Sequence, residues 1–256
     1  MIPSKARTEP MSEVEVQFLG SGDALGSGGR FQTCILVRSE NEHFLIDCGA
    51  SSLIAMKKFG IEPAAIDRVL ISHLHGDHFG GIPFLLLDGQ FSGRTRPLTI
   101  AGPEGVESRV KAGMEVLFPG SSKVERKFSV SFADFHPRKE MVLGSLSVTP
   151  YEGVHPSGSP SLSLRIQTAG RVIAYSGDTE WVETLQDAAR DADLFICEAY
   201  SFEKKIKFHL DYRTILDRLP RLGCKKIILT HMNRDLLSRL GEVKIDWAED
   251  GKKIIL

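Results

Sequence analysis

The feature that most constrains this chain is the segment 73–78, HLHGDH, which places three histidines and one aspartate within six residues. It directly follows a short apolar run of the kind that forms a buried strand. His73 and His75 lie two residues apart, so both rings point the same way in an extended segment, whereas Asp77 and His78 lie where the chain turns into a helix. Imidazole and carboxylate groups suit zinc, manganese or iron. The segment therefore predicts a metal site, and its alternative is a polar loop that is merely rich in histidine.

Three more side chains of the same ligand types stand just beyond apolar strand-like runs. They are His155, Asp178 and His231. Taken alone, a histidine or aspartate at such a position is more often a turn or capping residue. Together with the segment 73–78 they form a coherent set of metal ligands.

Strand-like and helix-like patterns alternate along most of the chain. The first strand is predicted at 14–19, helices are predicted at 51–59 after a serine cap, 104–117, 181–189 and 210–219, and a β-rich middle runs over 128–174. This alternation predicts a layered α/β architecture and leaves open whether one sheet or two lies between the helices. We expect a flexible tail over 1–13 and a single domain over 14–256.

Composition excludes several classes of protein. The formal net charge of −1 excludes a strongly basic body that coats nucleic acid. The N-terminal segment has no apolar stretch of a signal peptide, and no window approaches the roughly 20 apolar residues of a membrane span. The four scattered cysteines predict reduced, buried thiols and a cytoplasmic location, with a cysteine-bearing metal site as the alternative.

The motifs together resemble the metallo-β-lactamase superfamily and, within it, the tRNase Z-like branch and its arm-less phosphodiesterases. The resemblance rests on FLGSG (18–22), LIDCG (45–49), HLHGDH (73–78) with GGIP (80–83), GPEG (102–105) and LTH (229–231). It covers residues 14–256. It implies an α/β fold of the αββα type, a sandwich of two mixed β-sheets flanked by helices.

The resemblance also implies a binuclear metal site. The ions are divalent, with zinc as the first choice and manganese or iron as the alternatives. One ion is bound by His73, His75 and His155, the other by Asp77, His78 and His231, and Asp178 bridges the two. A water or hydroxide between the ions is the implied nucleophile, because metal binding lowers the pKa of water from 15.7 to about 7. Asp77 therefore counts as a catalytic residue as well as a ligand.

His209 bears on the class of substrate. In this branch and the phosphodiesterases that resemble it, a histidine at a comparable place protonates the leaving oxygen, which suits an imidazole whose ordinary pKa lies near neutral pH. The alternative is that His209 only caps the helix after it. Asp47 is expected to hydrogen-bond a ligand histidine, and the basic run 204–207 and the serines at 157, 159 and 161 are weaker candidates for phosphate contacts.

The resemblance fails at one point. Bacterial tRNase Z carries a long arm that grips tRNA between the ligands that correspond to His155 and Asp178, and here two strands and a turn fill that short interval. We therefore expect a small or cyclic phosphodiester, a nucleotide or an oligonucleotide end as substrate. The alternatives are a lactonase or a glyoxalase II-like thioesterase, a tRNA 3′-processing endonuclease, and a non-catalytic scaffold. A homodimer is expected only because symmetric dimers are the commonest oligomers.

Overall fold

The computed structural model describes residues 13–40 and 42–256, so the tail expected over 1–13 falls outside the described residues except for its last position. Thirteen strands are present in the described part of the chain: β1 Glu15–Gly20, β2 Cys34–Arg38, β3 His43–Ile46, β4 Arg68–Leu70, β5 Leu98–Pro103, β6 Val130–Phe135, β7 Met141–Leu143, β8 Leu146–Glu152, β9 Leu162–Thr168, β10 Arg171–Tyr175, β11 Leu194–Glu198, β12 Ile227–Thr230 and β13 Lys253–Ile255. The α-helices are α1 Ser52–Lys58, α2 Gly76–Phe79, α3 Ile82–Ser92, α4 Val106–Leu117, α5 Thr184–Ala189, α6 Tyr212–Leu222 and α7 Arg234–Leu237.

The strands form two mixed sheets. The first has the order β13-β1-β2-β3-β4-β5-β6 and the second the order β12-β11-β10-β9-β8-β7. Strands β3 to β6 are parallel in the first sheet, as are β10 to β12 in the second. Parallel neighbours place their carboxyl ends at one edge, and this is the edge at which the histidine segment leaves β4.

Three apolar clusters show how the layers stack. Alternate residues of β2 face opposite sides: Ile35 and Val37 pack between the sheets, while Cys34 and Leu36 pack under the helices of the first sheet. The same period of two recurs in the second sheet, where residues of β11 divide between the inter-sheet core and the cluster under α5 and α6. The order of layers is therefore helix, sheet, sheet, helix, which confirms the predicted αββα sandwich of two mixed β-sheets.

Local details depart from the sequence predictions where tertiary contacts take over. Helix α3 and the edge strand β13 were not predicted, and α3 has an apolar composition without the one-sided pattern of a surface helix. The serine before α1 does not cap it: Ser51 Oγ accepts the amide of Gln32 at 2.8 Å instead. That bond ties the glycine-rich first loop to the start of α1.

All four cysteines are free thiols, three of them buried, as predicted. Burial raises the pKa of the Cys34 thiol to about 12, so that residue is chemically quiet at neutral pH. None of the helices in the described part of the chain has the length and apolar character that a membrane crossing requires.

Candidate metal centre and active site

The structure brings all the predicted ligand residues together at one edge of the two sheets. The segment 73–78 follows β4, His155 follows β8, Asp178 follows β10 and His231 follows β12. These loops come from both sheets, so the site lies across the end of the sandwich. Strand ends hold the loops with little backbone freedom, which fixes the side chains before any ligand arrives.

The first group is the three-histidine cluster of His73, His75 and His155. His155 Nε2 lies 2.9 Å from His75 Nδ1. The ring centre of His73 lies 5.0 Å from that of His75 and 4.9 Å from that of His155. His73 is buried, His155 is 9% exposed and His75 is partly exposed, so this cluster lies nearer the mouth of the site.

The second group is the aspartate-containing cluster of Asp77, His78, Asp178 and His231, all four of which are buried. Asp77 Oδ2 lies 3.2 Å from His78 Nε2 and 3.1 Å from His231 Nε2. Asp178 Oδ2 lies 3.4 and 3.5 Å from the same two nitrogens. Two carboxylate oxygens and two imidazole nitrogens thus surround one point.

Asp178 connects the two clusters. The oxygen that faces His78 and His231 also lies 3.8 Å from His73 Nε2 and 4.0 Å from His155 Nε2. Burial alone would raise the pKa of this carboxyl, but the imidazoles of His231 and His78 outweigh burial and hold it well below its usual range. Asp178 therefore lies between the two clusters, with one oxygen within 4.0 Å of a histidine nitrogen in each.

Unpartnered atoms test whether a metal ion fits. His73 Nε2, His78 Nε2 and Asp178 Oδ1 are buried and have no hydrogen-bond partner in the described part of the chain. A buried polar atom left without a partner costs about 1–3 kcal/mol, which native structures rarely accept without a function. Nitrogen and carboxylate oxygen are donors that divalent ions accept. The two clusters are therefore suited to binding divalent metal ions.

Asp47 orients the aspartate-containing cluster through the predicted hydrogen bond. Its Oδ2 lies 2.6 Å from His78 Nδ1, and its Oδ1 accepts the amide of Ser72 at 2.7 Å. The Ser72 hydroxyl donates to Asp47 and lies 3.1 Å from His73 Nδ1, so it accepts the proton of that imidazole. Both histidines thereby carry the proton on Nδ1 and turn Nε2 toward the site.

Glu198 is a site residue that the sequence analysis missed. It ends β11, is fully buried, and its Oε1 bonds His209 Nδ1. Its Oε2 accepts the amide of Thr179 at 3.0 Å and that of Leu210 at 3.3 Å. The signal was available, because Glu198 is an acidic residue directly after four apolar ones, the same placement that identified Asp178.

His209 lies beside both clusters and does not cap the helix that follows. Asp211 caps α6, since its side chain accepts the amide of Thr214. The ring of His209 lies 4.8 Å from that of His155 and stacks on that of Tyr200 at 4.4 Å. Burial lowers the pKa of His209, but the hydrogen bond to the Glu198 carboxylate more than offsets this, so the net shift is upward.

Three of the six non-glycine residues with positive φ in the described part of the chain lie at the site. Asp47, Phe208 and His231 have positive φ values of 57°, 71° and 58°, a conformation that side chains with a Cβ adopt only at a cost of about 1–3 kcal/mol. Phe208 accepts a hydrogen bond from His155 Nδ1 at 2.9 Å through its carbonyl and donates its amide to Glu180 at 2.7 Å. The strained residue thus links a ligand histidine to the loop that carries His209.

Glycine is required where the histidine segment meets the strand end 45–49. A Cβ built on Gly49 would lie 2.3 Å from the carbonyl oxygen of Asp77. No side chain fits there without pushing the backbone of a site residue. The glycine of the LIDCG motif therefore has a packing function that supports the site.

The weaker phosphate candidates are used elsewhere. The hydroxyls of the three serines donate to backbone carbonyls: Ser157 to Ser159, Ser159 to Glu104, and Ser161 to Asp178. Lys205 pairs with Asp211 at 2.7 Å. Lys207 remains exposed, with its ammonium 4.6 Å from the centre of the Phe208 ring.

Comparison with known proteins shows the family to which the chain belongs. The family model described as "Anti-Pycsar protein Apyc1" matches residues 14–247. The ribonuclease Z of Methanothermobacter thermautotrophicus is 30% identical over an alignment that covers 86% of this chain and 87% of that protein.

Solved structures share the fold. The metallo-β-lactamase fold protein YhfI from Bacillus subtilis has a TM-score of 0.78 at 20% identity and covers 96% of this chain and 100% of its own. The short form of human tRNase Z has a TM-score of 0.78 at 24% identity, covering 94% and 98%. A diphosphatase from the PhnP family has a TM-score of 0.74 at 17% identity, covering 94% and 97%.

Proposed function

We propose that this metal-dependent hydrolase is a phosphodiesterase. The chain belongs to the Anti-Pycsar protein Apyc1 family, within the tRNase Z-like branch of the metallo-β-lactamase superfamily. Its substrate is a small or cyclic phosphodiester, or the end of an oligonucleotide. The observation that carries the proposal is His209, held by a buried carboxylate at the side of the two metal-binding clusters. An acid at this place serves a reaction in which an alkoxide leaves.

The clusters hold two divalent ions in this proposal, zinc in the first place and manganese or iron as alternatives. His73, His75 and His155 would hold one, Asp77, His78 and His231 would hold the other, and Asp178, whose Oδ2 lies within 4.0 Å of a nitrogen in each cluster, would serve both. When bound, such a pair polarises the phosphate and makes hydroxide available near neutral pH. The protein supplies the fixed, largely buried geometry in which these groups stand.

His209 supplies the proton. Its Nδ1 is bonded to Glu198, so Nε2 is the atom that donates to the leaving oxygen. Burial lowers the pKa of His209, but the Glu198 carboxylate raises it by more, and this net upward shift favours the protonated form that can donate. After the transfer Glu198 holds the neutral ring in the same tautomer, ready to be protonated again.

The size of the substrate follows from the interval between His155 and Asp178. Strands β9 and β10 fill it and pair through a tight turn at 169–170, where both residues have positive φ. The described residues of this interval include no extended arm. A ligand that reaches the clusters is therefore held by the rim of the site alone, which favours a small phosphodiester over a folded RNA.

Ester hydrolysis of another kind is the second candidate, because lactonases and thioesterases use the same type of metal clusters. Processing of RNA 3′ ends is the third, and the ribonuclease Z relative favours it. His209 separates a thioesterase from the proposal, since a thiolate leaves without a proton and needs no acid. A lactone releases an alkoxide, so a lactonase is separated by substrate preference instead. The length of the preferred substrate separates the processing of RNA 3′ ends from the proposal.

The test is a substrate panel on protein of known metal content: bis(p-nitrophenyl) phosphate, a cyclic nucleotide, a lactone, a thioester and a precursor tRNA. We expect turnover of the two phosphodiesters and a fall of about 10²–10⁴-fold for His209→Ala on the cyclic nucleotide, with metal content retained. The loss on bis(p-nitrophenyl) phosphate should be smaller, because nitrophenolate is a good leaving group. Preference for the lactone or thioester, indifferent to His209, would contradict the proposal.

A homodimer stays a prediction from the general frequency of symmetric dimers. Light scattering of the metal-loaded protein gives the mass directly. A monomer mass would contradict the predicted homodimer and would leave the proposed reaction unaffected.

A further inference from the structure

Tyr175 carries a polar group that neither the fold nor the proposed reaction uses. It is the last residue of β10, it is 1% exposed, and its ring lies among the apolar side chains between the two sheets. Its hydroxyl is buried, and no group in the described part of the chain stands at full hydrogen-bond geometry to it. Native proteins rarely leave a buried hydroxyl alone, because it has given up its bonds to water. The hydroxyl therefore needs an acceptor near the end of β10.

The acceptor beside this hydroxyl is the carboxylate of Asp47. Asp47 follows β3 of the first sheet and Tyr175 ends β10 of the second, so the two residues come together from opposite sheets at the end of the sandwich that carries the metal clusters. Burial raises the pKa of the Tyr175 phenol well above its usual value, and the charges of Asp47 and Asp178 raise it further. The phenol therefore keeps its proton and can donate it to a carboxylate.

Asp47 has an acceptor position left for one more donor. An ionised carboxylate offers about four lone-pair positions, two on each oxygen. The Oδ1 atom of Asp47 accepts the amide of Ser72 at 2.7 Å, and its Oδ2 atom accepts the Ser72 hydroxyl at 2.8 Å and lies 2.6 Å from His78 Nδ1. Oδ2 is thus fully used, whereas Oδ1 can accept once more. The unused donor of Tyr175 and the unused position of Asp47 complement each other.

We propose that Tyr175 is a positioning residue of the metal centre, which donates its hydroxyl proton to Asp47 and thereby fixes the carboxylate that orients His78. The φ of 57° at Asp47 is an unfavourable backbone conformation, so side-chain bonds have to hold this residue in place. The contacts run from Tyr175 through Asp47 to His78, and the second sheet thus supports a ligand that the first sheet carries. The inference rests on the metal binding in the proposed function and is independent of the substrate.

The experiment measures the zinc affinity of Tyr175→Phe, which removes one oxygen atom and keeps the ring in the core. His75→Ala disables the three-histidine cluster, so in that background a chromogenic chelator reports on the aspartate-containing cluster alone. There we expect Tyr175→Phe to weaken binding about 10-fold, the lower limit for losing an outer hydrogen-bond partner of a ligand histidine. In a His231→Ala background, which disables the aspartate-containing cluster instead, the change should stay within about 2-fold, because Asp47 does not orient the remaining ligands.

Tyr212→Phe is the matched control. Tyr212 is also 1% exposed, and its hydroxyl accepts the amide of Lys244 at 2.9 Å, but it belongs to neither metal-binding cluster. Losing this hydroxyl should lower the free energy of unfolding and leave zinc affinity unchanged. A double-mutant cycle with Asp47→Ala tests the route of the effect: without the acceptor, Tyr175→Phe should cost at most about 2-fold in affinity. A full 10-fold loss in the Asp47→Ala background would contradict an action through Asp47.

Proton NMR of the zinc-loaded protein gives a second readout. The imidazole proton between His78 Nδ1 and Asp47 should give a low-field resonance that shifts in Tyr175→Phe and stays in place in Tyr212→Phe. Unchanged zinc affinity or an unchanged resonance in folded Tyr175→Phe would overturn the inference and leave the phosphodiesterase intact, and so would an equal loss of affinity in Tyr212→Phe. Wild-type protein that binds no divalent ion would instead remove the proposed function.

Discussion

The three-histidine cluster and the aspartate-containing cluster lie side by side around Asp178, but they differ in charge and in burial. The first consists of three imidazoles, of which that of His75 is partly exposed, and within the described residues the carboxylate that reaches it is that of Asp178, at 3.8–4.0 Å. The second is fully buried and places two carboxylates among its imidazoles. The second therefore neutralises most of the charge of a divalent ion, and the first neutralises little of it.

The supports of the two clusters differ in the same direction. In the aspartate-containing cluster, His78 is oriented by a hydrogen bond between its Nδ1 and the Asp47 carboxylate. In the other cluster, His155 is oriented by a backbone carbonyl and His73 by a hydroxyl. A carboxylate partner makes an imidazole a stronger donor than a neutral one does. We infer that the aspartate-containing cluster binds its ion tightly and that the three-histidine cluster binds a more exchangeable one.

Removing Asp178, the residue that faces both clusters, should cause the largest loss of activity. Asp178→Ala takes a carboxylate from both, so we expect phosphodiesterase activity to fall by at least about 10³-fold, the size of effect seen when one key stabilising group is lost. Metal content should drop below two per chain. Asp217→Asn, a change at an exposed aspartate on α6, is the control. Activity within 10-fold of wild type, at about unchanged metal content, would rule out a shared ligand at Asp178.

Removing a support should weaken one cluster alone. Asp47→Asn leaves His78 without its carboxylate partner, and such changes cost about 10- to 100-fold in metal affinity. Competition against a chromogenic chelator measures this. The tight ion should become weaker while the weak one keeps its affinity. Equal weakening of both would show that the clusters do not respond separately.

Stepwise removal of metal from the unmutated protein should reveal the difference in metal affinity between the two clusters. On titration with a chelator, we expect one ion per chain to leave first and the second to require a chelator concentration at least about 10-fold higher. Cobalt substitution followed by visible absorption reports which cluster empties, because His75→Ala should abolish only the early phase. A single phase for both ions would contradict the proposed difference.

The release of a proton from His231 when a metal ion binds should be the smallest of these effects. In the metal-free protein burial lowers the pKa of His231, but Asp178 and Asp77 outweigh burial and raise it to about 9. At pH 7 its imidazole is therefore protonated, and an ion must displace that proton to bind. Affinity should rise as pH increases toward 9, and calorimetry in buffers of different ionisation enthalpy should detect the released proton. Affinity that is flat from pH 7 to about 9 would contradict this assignment.

The contrast between the clusters also explains what could be predicted from sequence. The segment 73–78 is local, so its spacing alone predicted a metal site. His155, Asp178 and His231 follow separate strands, and their proximity depends on the pairing of two sheets, which the strand pattern left open. The resemblance to a known superfamily was needed to join them.

Some features of the site and the fold could not be predicted from local sequence. Glu198 was missed because one acidic residue after a strand is common, and its importance appears only when the chain brings His209 to it. Ser51 looked like a helix cap, but its hydroxyl is taken by the first loop. Helix α3 was not predicted because its apolar residues are spread evenly around it. It has no one-sided apolar pattern from which a helix could be recognised. In each case a tertiary contact determined the outcome.

The most direct test of the account is metal reconstitution followed by hydrolysis of bis(p-nitrophenyl) phosphate. Metal-free protein is titrated with zinc, and initial rates are measured at each ratio. We expect no activity without metal, little at one equivalent because the tight cluster fills first, and a steep rise to a plateau at about two per chain. Full activity at one equivalent, or hydrolysis by the metal-free protein, would contradict a reaction that requires both clusters.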